Sequence, residues 1–249
     1  MKKHIYIVYA TLFLFVFCLQ ARAQSPADII RQVDELMNPN AKLVAKLIHM
    51  NKSGEIDEDY VFRLYSKDNN QKIIVRTISS ISSEGREDDL IMIENNVWFY
   101  DVDAGRVMKI PSNQSFGSTD FSYGDVLRLN LTDNYEASIL TQNKYIWVIN
   151  LKAKNRNAPY YRIEYEIKKE GYVPVRGKCY GKNNEVIKTM EFTEVKEVNE
   201  RLRPTKLIVA SPYSEGDYSA MTFISEELKN YPDKIFNKRN LALRMEENF

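Results

Sequence analysis

Histidine and cysteine are almost missing from this chain, with two of each among 249 residues. His4 and Cys18 lie near the N-terminus, so the remainder carries one imidazole, His49, and one thiol, Cys179. Those numbers exclude metal sites built from His/Cys clusters and, once the first residues are removed, any intramolecular disulfide. A Ser–His–Asp or Cys–His nucleophile could use only His49, which sits beside Met50 in an alternating stretch with no nucleophile motif near it. Glycine is scarce and scattered, nine in all, and no phosphate-cradling loop occurs. Asp101-Val102-Asp103-Ala104-Gly105 starts like a calcium loop but has Ser112 where the closing acid belongs, so it reads as a hairpin turn. Neither charge dominates: 35 basic residues face 34 acidic ones. No strong field therefore favours nucleic acid, and the 16 tyrosines read as good strand formers rather than base-stacking platforms. Carboxylates are plentiful, but no two stand out as a glycosidase-like pair. The expectation is a protein that is not an enzyme and uses no metal or cofactor.

The long apolar run is confined to Ile5–Leu19. Lys2, Lys3 and His4 precede it, and Ala21-Arg22-Ala23 follows as an A-x-A cleavage site before Gln24. Residues 1–23 thus read as a secretory signal peptide cleaved after Ala23, and residues 24–249 as the mature chain, expected in the periplasm. Cys18 follows Phe17 and lacks the small residue a lipidation site needs. Losing Lys2, Lys3 and Arg22 makes the balance slightly acidic. Cys179 lies in an alternating stretch and reads as a buried structural thiol.

Ser25 and Pro26 make a helix start, a capping hydroxyl followed by Pro at the first helical position. Ile29, Ile30, Val33, Leu36 and Met37 follow at helical spacing, and Asn38-Pro39-Asn40 ends the pattern. The period then becomes two. Strands are expected around Leu43–Leu47, Tyr60–Tyr65, Ile73–Ile78, Leu90–Ile93, Val97–Tyr100 and Arg106–Ile110, with a polar loop over Ser79–Asp89. The second half is more regular, with strands over Tyr135–Thr141, Tyr145–Leu151, Tyr160–Ile167, Val173–Tyr180, Glu185–Val198, Arg203–Ser211 and Ser219–Leu228. Between the halves, Ser122 can cap a helix, Asp125 completes a capping box, and Val126, Leu127, Leu129 and Leu131 form the apolar side of a short helix. Pro232-Asp233 begins a last turn holding Ile235 and Phe236. No linker or repeat divides the chain, so residues 24–249 form one domain.

About a dozen sequential antiparallel strands make a meander, and such a sheet curls and must close or cover its concave face. The expected fold is mainly β: a curled, unclosed antiparallel half-barrel of about 11–12 strands with short helices over its concave face.

Trp98, Pro111, Ser115-Phe116 and Asp120-Phe121-Ser122-Tyr123, in that order, form a recognisable series. Two further stretches continue it: Tyr172-Val173-Pro174-Val175 with Val186–Phe192, and Tyr231-Pro232-Asp233-Lys234-Ile235-Phe236. Across roughly Ala27 to Leu241 the chain resembles the LolA-like outer-membrane lipoprotein-sorting proteins. It departs from that pattern at Ser118, where the family often has Gly. The resemblance implies an unclosed β-barrel that carries acyl chains of lipoproteins or long-chain lipids through the periplasm as a monomer, between an inner-membrane export machine and an outer-membrane acceptor. A sensor or adaptor of the same fold, binding lipoproteins or a membrane-anchored regulator, is the alternative. Candidates to line the acyl-binding hollow are Leu47, Phe62, Leu64, Ile91, Trp98, Trp147, Tyr165, Met190, Phe192, Met221 and Phe223. Candidates for the lid are Ile30, Val33, Phe116, Asp120, Phe121, Val126 and Leu127, with Asp120 either capping the central helix or fastening the lid.

Overall fold

The computed structural model describes residues 24–80 and 89–243. The expected signal peptide, and most of the polar loop after Ser80, lie outside them. The chain opens with helix α1 (Pro26–Met37), capped by Ser25, whose hydroxyl accepts the Asp28 N–H. Its apolar stripe buries Ile29, Ile30 and Val33. Six strands follow: β1 (Ala41–Met50), β2 (Ile56–Lys67), β3 (Lys72–Ser80), β4 (Asp89–Ile93), β5 (Asn96–Asp101) and β6 (Arg106–Ile110). A central segment holds two single helical turns, α2 (Tyr123–Val126) and α3 (Leu131–Asn134). Seven more strands complete the sheet: β7 (Tyr135–Gln142), β8 (Ile146–Ala153), β9 (Arg162–Lys168), β10 (Pro174–Tyr180), β11 (Val186–Val198), β12 (Arg201–Ala210) and β13 (Tyr218–Leu228). A 3-10 turn (Asp233–Ile235) and helix α4 (Lys238–Leu243) end the described chain.

All 13 strands belong to one sheet, ordered β6-β5-β4-β3-β2-β1-β13-β12-β11-β10-β9-β8-β7. Each neighbouring pair is antiparallel. Two meanders are therefore joined at their inner edges by β1 with β13, and β6 and β7 are left as free edges. The sheet does not close. The central segment, residues 111–134, carries the chain from one free edge to the other. Every expected strand is present, one more than the upper count anticipated, and Ser79, Ser80 and Asp89 belong to strands rather than to the loop between them.

Both faces of the first meander are apolar. On the concave face Leu43, Leu47, Phe62, Leu64, Val75, Leu90 and Met92 join α1 and the central segment in the main core. On the convex face Tyr65, Ile74 and Ile91 form a second core with Tyr231, Ile235, Phe236 and Leu241, and Trp98 packs against it. The C-terminal segment is fastened there. Lys67 and Lys72 both donate to Asp233, and Arg76 bonds the Asp89 carboxylate and the Asn240 carbonyl. The two lysines hold the Asp233 carboxyl down at about 2.

The single central helix expected through Leu131 is instead broken. Arg128 takes a left-handed backbone (φ 49°), which an L-residue cannot continue as helix. α2 keeps its capping box, with the Ser122 hydroxyl accepting from the Asp125 N–H and the Asp125 side chain accepting from the Ser122 N–H. The backbone position that demands Gly is Gly117, next to Ser118. It has φ 56°, and an added Cβ would lie 2.7 Å from the Tyr60 hydroxyl.

Phe236→Ala removes a large side chain from the convex core. Urea unfolding should show a loss of about 3 kcal/mol, while any ligand bound on the concave face is retained with unchanged affinity.

Candidate functional site

The concave face is filled unevenly. Over β1 and β2 the central segment lies directly on the sheet. Phe116 meets Tyr60 and Phe62 edge to face, with ring centroids 5.0 and 5.5 Å apart. Phe121, Val126 and Leu127 are completely buried beside them. Over the second meander the cover stands off the strands and leaves a hollow of about 100 Å3. α1 contributes Val33 and Met37, and the central segment contributes Arg128, Leu129 and Leu131. The sheet floor contributes Ile163 and Tyr165 from β9, Met190 and Phe192 from β11, Leu207 from β12, and Met221 and Phe223 from β13. The register stacks these floor residues in rows, with Phe192 opposite Leu207 and Leu207 opposite Met221.

Of the acyl-site candidates, Tyr165, Met190, Phe192, Met221 and Phe223 line this hollow, and Val33 lines it from the lid. Leu47, Phe62 and Leu64, with the lid residues Ile30, Phe116, Phe121, Val126 and Leu127, are packed solid in the adjoining core. Trp147 is buried too, stacked on Tyr172 at 5.8 Å. Ile91 and Trp98 require correction, because they belong to the convex core with the C-terminal segment. β4 is buried on both faces, so its run Leu90-Ile91-Met92 carries no alternation that assigns a side.

Polar contacts fasten the cover. Asp34 of α1 accepts the Leu131 and Thr132 N–H groups and the Thr132 hydroxyl, so α1 and α3 are bound together. Burial pushes its carboxyl up to about 6, against the partial opposition of those hydrogen bonds. Asn70, in the β2–β3 turn, donates to the Asn38 side chain and to the Leu127 and Arg128 carbonyls. Arg128 donates to the Met37 carbonyl at the end of α1.

Asp120 does not cap α2; Ser122 does. Asp120 instead meets β13, where the Ser219 hydroxyl donates to its carboxylate at 2.9 Å and its own N–H donates back to that oxygen at 2.8 Å. His49 of β1 reaches the same Ser219 hydroxyl at 3.0 Å and lies 3.6 Å from the Asp120 carboxylate. The three residues resemble a nucleophile triad in type only. Ser219 is fully buried and its hydroxyl is engaged by Asp120 rather than presented to a cleft, so the group ties the central segment to β13.

Sequence reasoning passed over Asp34, Met37, Arg128, Leu129, Ile163 and Leu207 as lining residues. It also passed over Arg203 and Glu226, which lie fully buried behind Phe223. Arg203 could have been found, since it shares the inward alternation of Thr205, Leu207 and Val209. Glu226 could not. A bulge sets Ala45 opposite Phe223 but Val44 opposite Ser225. The skipped Ile224 turns Glu226 to the face that Phe223 occupies.

A family model described as "Uncharacterized protein" matches residues 69–242. No curated protein matches the chain. Among solved structures, a LolA superfamily protein from Nitrosomonas europaea superposes with a TM-score of 0.78 at 19% identity, covering 87% of this chain and 99% of that one. A DUF1329 family protein from Desulfovibrio piger gives 0.73 at 15% identity, covering 88% and 100%. A Vibrio parahaemolyticus domain described as belonging to an outer membrane lipoprotein-sorting protein gives 0.71 at 17% identity, covering 86% and 97%. At these identities the agreement is one of fold. Among the described residues no cluster could hold a metal ion, and no helix is long and apolar enough to cross a membrane.

The raised Asp34 carboxyl gives a signed prediction. The folded state holds its proton to about pH 6, the unfolded state only to about 4. The contribution of this group is therefore fullest below pH 4 and is lost as pH rises through 6. In urea titrations, wild type should lose about 2 kcal/mol relative to Asp34→Asn between pH 4 and pH 7.

Proposed function

The chain belongs to the uncharacterized-protein family whose model covers residues 69–242, its fold is that of the LolA superfamily, and on that footing we propose that it is a periplasmic carrier of acyl chains, taken from lipoproteins or from free long-chain lipids toward the outer membrane. The observation that carries this reading is the apolar hollow between the second meander and a cover that is latched by side chains rather than built into the sheet.

The physical need is large. Each buried CH2 contributes about 0.8 kcal/mol, so a chain of about 14 carbons costs on the order of 10 kcal/mol to expose to water. A carrier must hide such a chain and also release it. Met190, Met221, Met37 and Phe192 suit that task, because flexible thioethers and aromatic faces adapt to a chain without directional bonds. At about 100 Å3 the hollow is smaller than the roughly 300 Å3 at which small-molecule pockets begin. This is therefore the closed form, and cargo is admitted when α1 and the central segment lift from the floor together. The Asp34 contacts make them one body, and the Asp120–Ser219 pair holds that body down.

Co-purification tests the reading. Protein isolated from its native envelope fraction should yield acylated material in native mass spectrometry, and protein that carries none and binds no fatty acyl probe would overturn it. Recovery of a membrane-anchored regulator instead of lipid would favour the sensor. Leu207→Trp fills the hollow and should lower affinity for an acyl fluorophore at least tenfold, with Phe236→Ala as the unaffected control. Asp120→Ala should speed release of a bound acyl probe more than its change in urea midpoint accounts for. Equal effects on both would make the contact purely structural.

A further inference from the structure

We propose that Arg128 and Arg203 form a seat for one carboxylate or phosphate group at the Phe223 end of the hollow, so that the cargo is an anionic amphiphile held by head and tail. This rests on the acyl-carrier reading and adds the chemistry of the head.

Both guanidinium carbons stand over the Phe223 ring, that of Arg128 at 5.4 Å and that of Arg203 at 5.5 Å from its centre. Arg128 lines the apolar hollow. Arg203 lines a second cavity of about 250 Å3 with Thr205, Phe223 and Glu226. Phe223 borders both. Arg203 is 1% exposed, among the most deeply buried side chains of the protein.

The donors of these arginines are used unequally. Arg128 gives Nη1 to the Met37 carbonyl, and Arg203 gives Nη1 to Glu226. The Nε and Nη2 of each are buried and find no acceptor among the described residues. Nε and Nη2 form the side-on edge of a guanidinium, two parallel donors spaced to match two oxygens of a carboxylate or phosphate. Two such edges lie vacant beside one ring. Buried donors without partners are expensive, and duplicating the defect on neighbouring residues of one site points to an absent partner.

The carboxylates nearby do not supply it. Glu226 already accepts from Asn199, Arg201 and Arg203. Asp34 is occupied by Leu131 and Thr132, and Asp125 by Ser122 and Tyr160. At the second cavity Glu197 and Lys196 also face the space, and Lys196 is paired with Glu194. Two arginines, Arg201 and Arg203, thus already share the Glu226 carboxylate, and Arg128 has no carboxylate partner among the described residues. Burial and the neighbouring Arg203 lower the Arg128 guanidinium to about 9, the direction expected where positive charge lacks a counterion.

Calorimetric titration of the mature protein with tetradecanoate, tetradecyl phosphate and neutral tetradecanol tests the seat. At least one of the two anionic ligands should bind roughly tenfold or more tighter than tetradecanol, with a preference that weakens as salt rises. Whichever anion is preferred identifies the head as fatty-acid carboxylate or phosphate ester. That preference ratio should collapse in Arg128→Leu. It should also collapse in the paired variant Arg203→Met with Glu226→Met, which removes both charges together and leaves no buried carboxylate stranded. Equal affinity for charged and neutral ligands in wild type would overturn the seat and leave the acyl reading standing. If none of the three binds, but inorganic phosphate raises the melting temperature of wild type and not of Arg128→Leu, the seat survives and the acyl reading falls. Absence of both effects overturns both.

Discussion

An antiparallel sheet that curls without closing has a concave apolar face that water must not reach, and most of this molecule answers that constraint. Thirteen strands leave β6 and β7 unjoined, so the sheet cannot seal itself. The chain that links those two edges is the same chain that covers the face. Over β1 and β2 the cover is dense, with Phe116, Phe121 and Leu127 filling the space against Phe62. Over β9 to β13 it is looser, and a hollow remains there. One half of the sheet anchors the cover while the other half leaves room beneath it.

Polar groups at this interface are few and specific. Asp34 binds two elements of the cover to one another, Asn70 ties them to a hairpin, and Asp120 ties them to the floor through Ser219. Asp34 satisfies N–H donors that α3 leaves open at its start, and Asn70 satisfies carbonyls left open after α2. Displacing this cover would break those bonds and would also expose Phe116, Phe121, Val126 and Leu127, which are buried against the first meander. The arginines behind Phe223 differ in kind, because they bring donors into the interior and leave them unmatched there.

Much of this was legible in the sequence. Period-two alternation together with the turn residues between apolar runs located the strands, Ser25 and Ser122 were correctly read as helix caps, and the run from Trp98 through Tyr123 identified the fold family. Facing was less legible. β4 is apolar on both sides, so nothing in Leu90-Ile91-Met92 tells concave from convex, and Ile91 and Trp98 were assigned to the wrong core. The bulge at Ile224 reverses alternation inside β13, and no residue there announces it. Arg128 occupies a left-handed position that Gly or Asn usually takes, which hid the break in the central helix. The convex core was missed as a unit because its partners, Tyr65 and Phe236, are far apart in sequence.

The pairing at the middle of the sheet has a kinetic consequence. Every other ladder joins strands adjacent in sequence, whereas β1 with β13 brings Ala41 to Leu228 and Met50 to Tyr218. Closing so long a loop costs chain entropy before any contact offsets it. The two meanders can assemble from local hairpins first, and their union at β1 and β13 then becomes the slow step. Until it occurs, both inner strands present unpaired edges with apolar residues, Leu43 and Leu47 on β1 and Met221 and Phe223 on β13, open to the same strand of another molecule. A newly made chain is most exposed to aggregation in that interval, before its two halves meet.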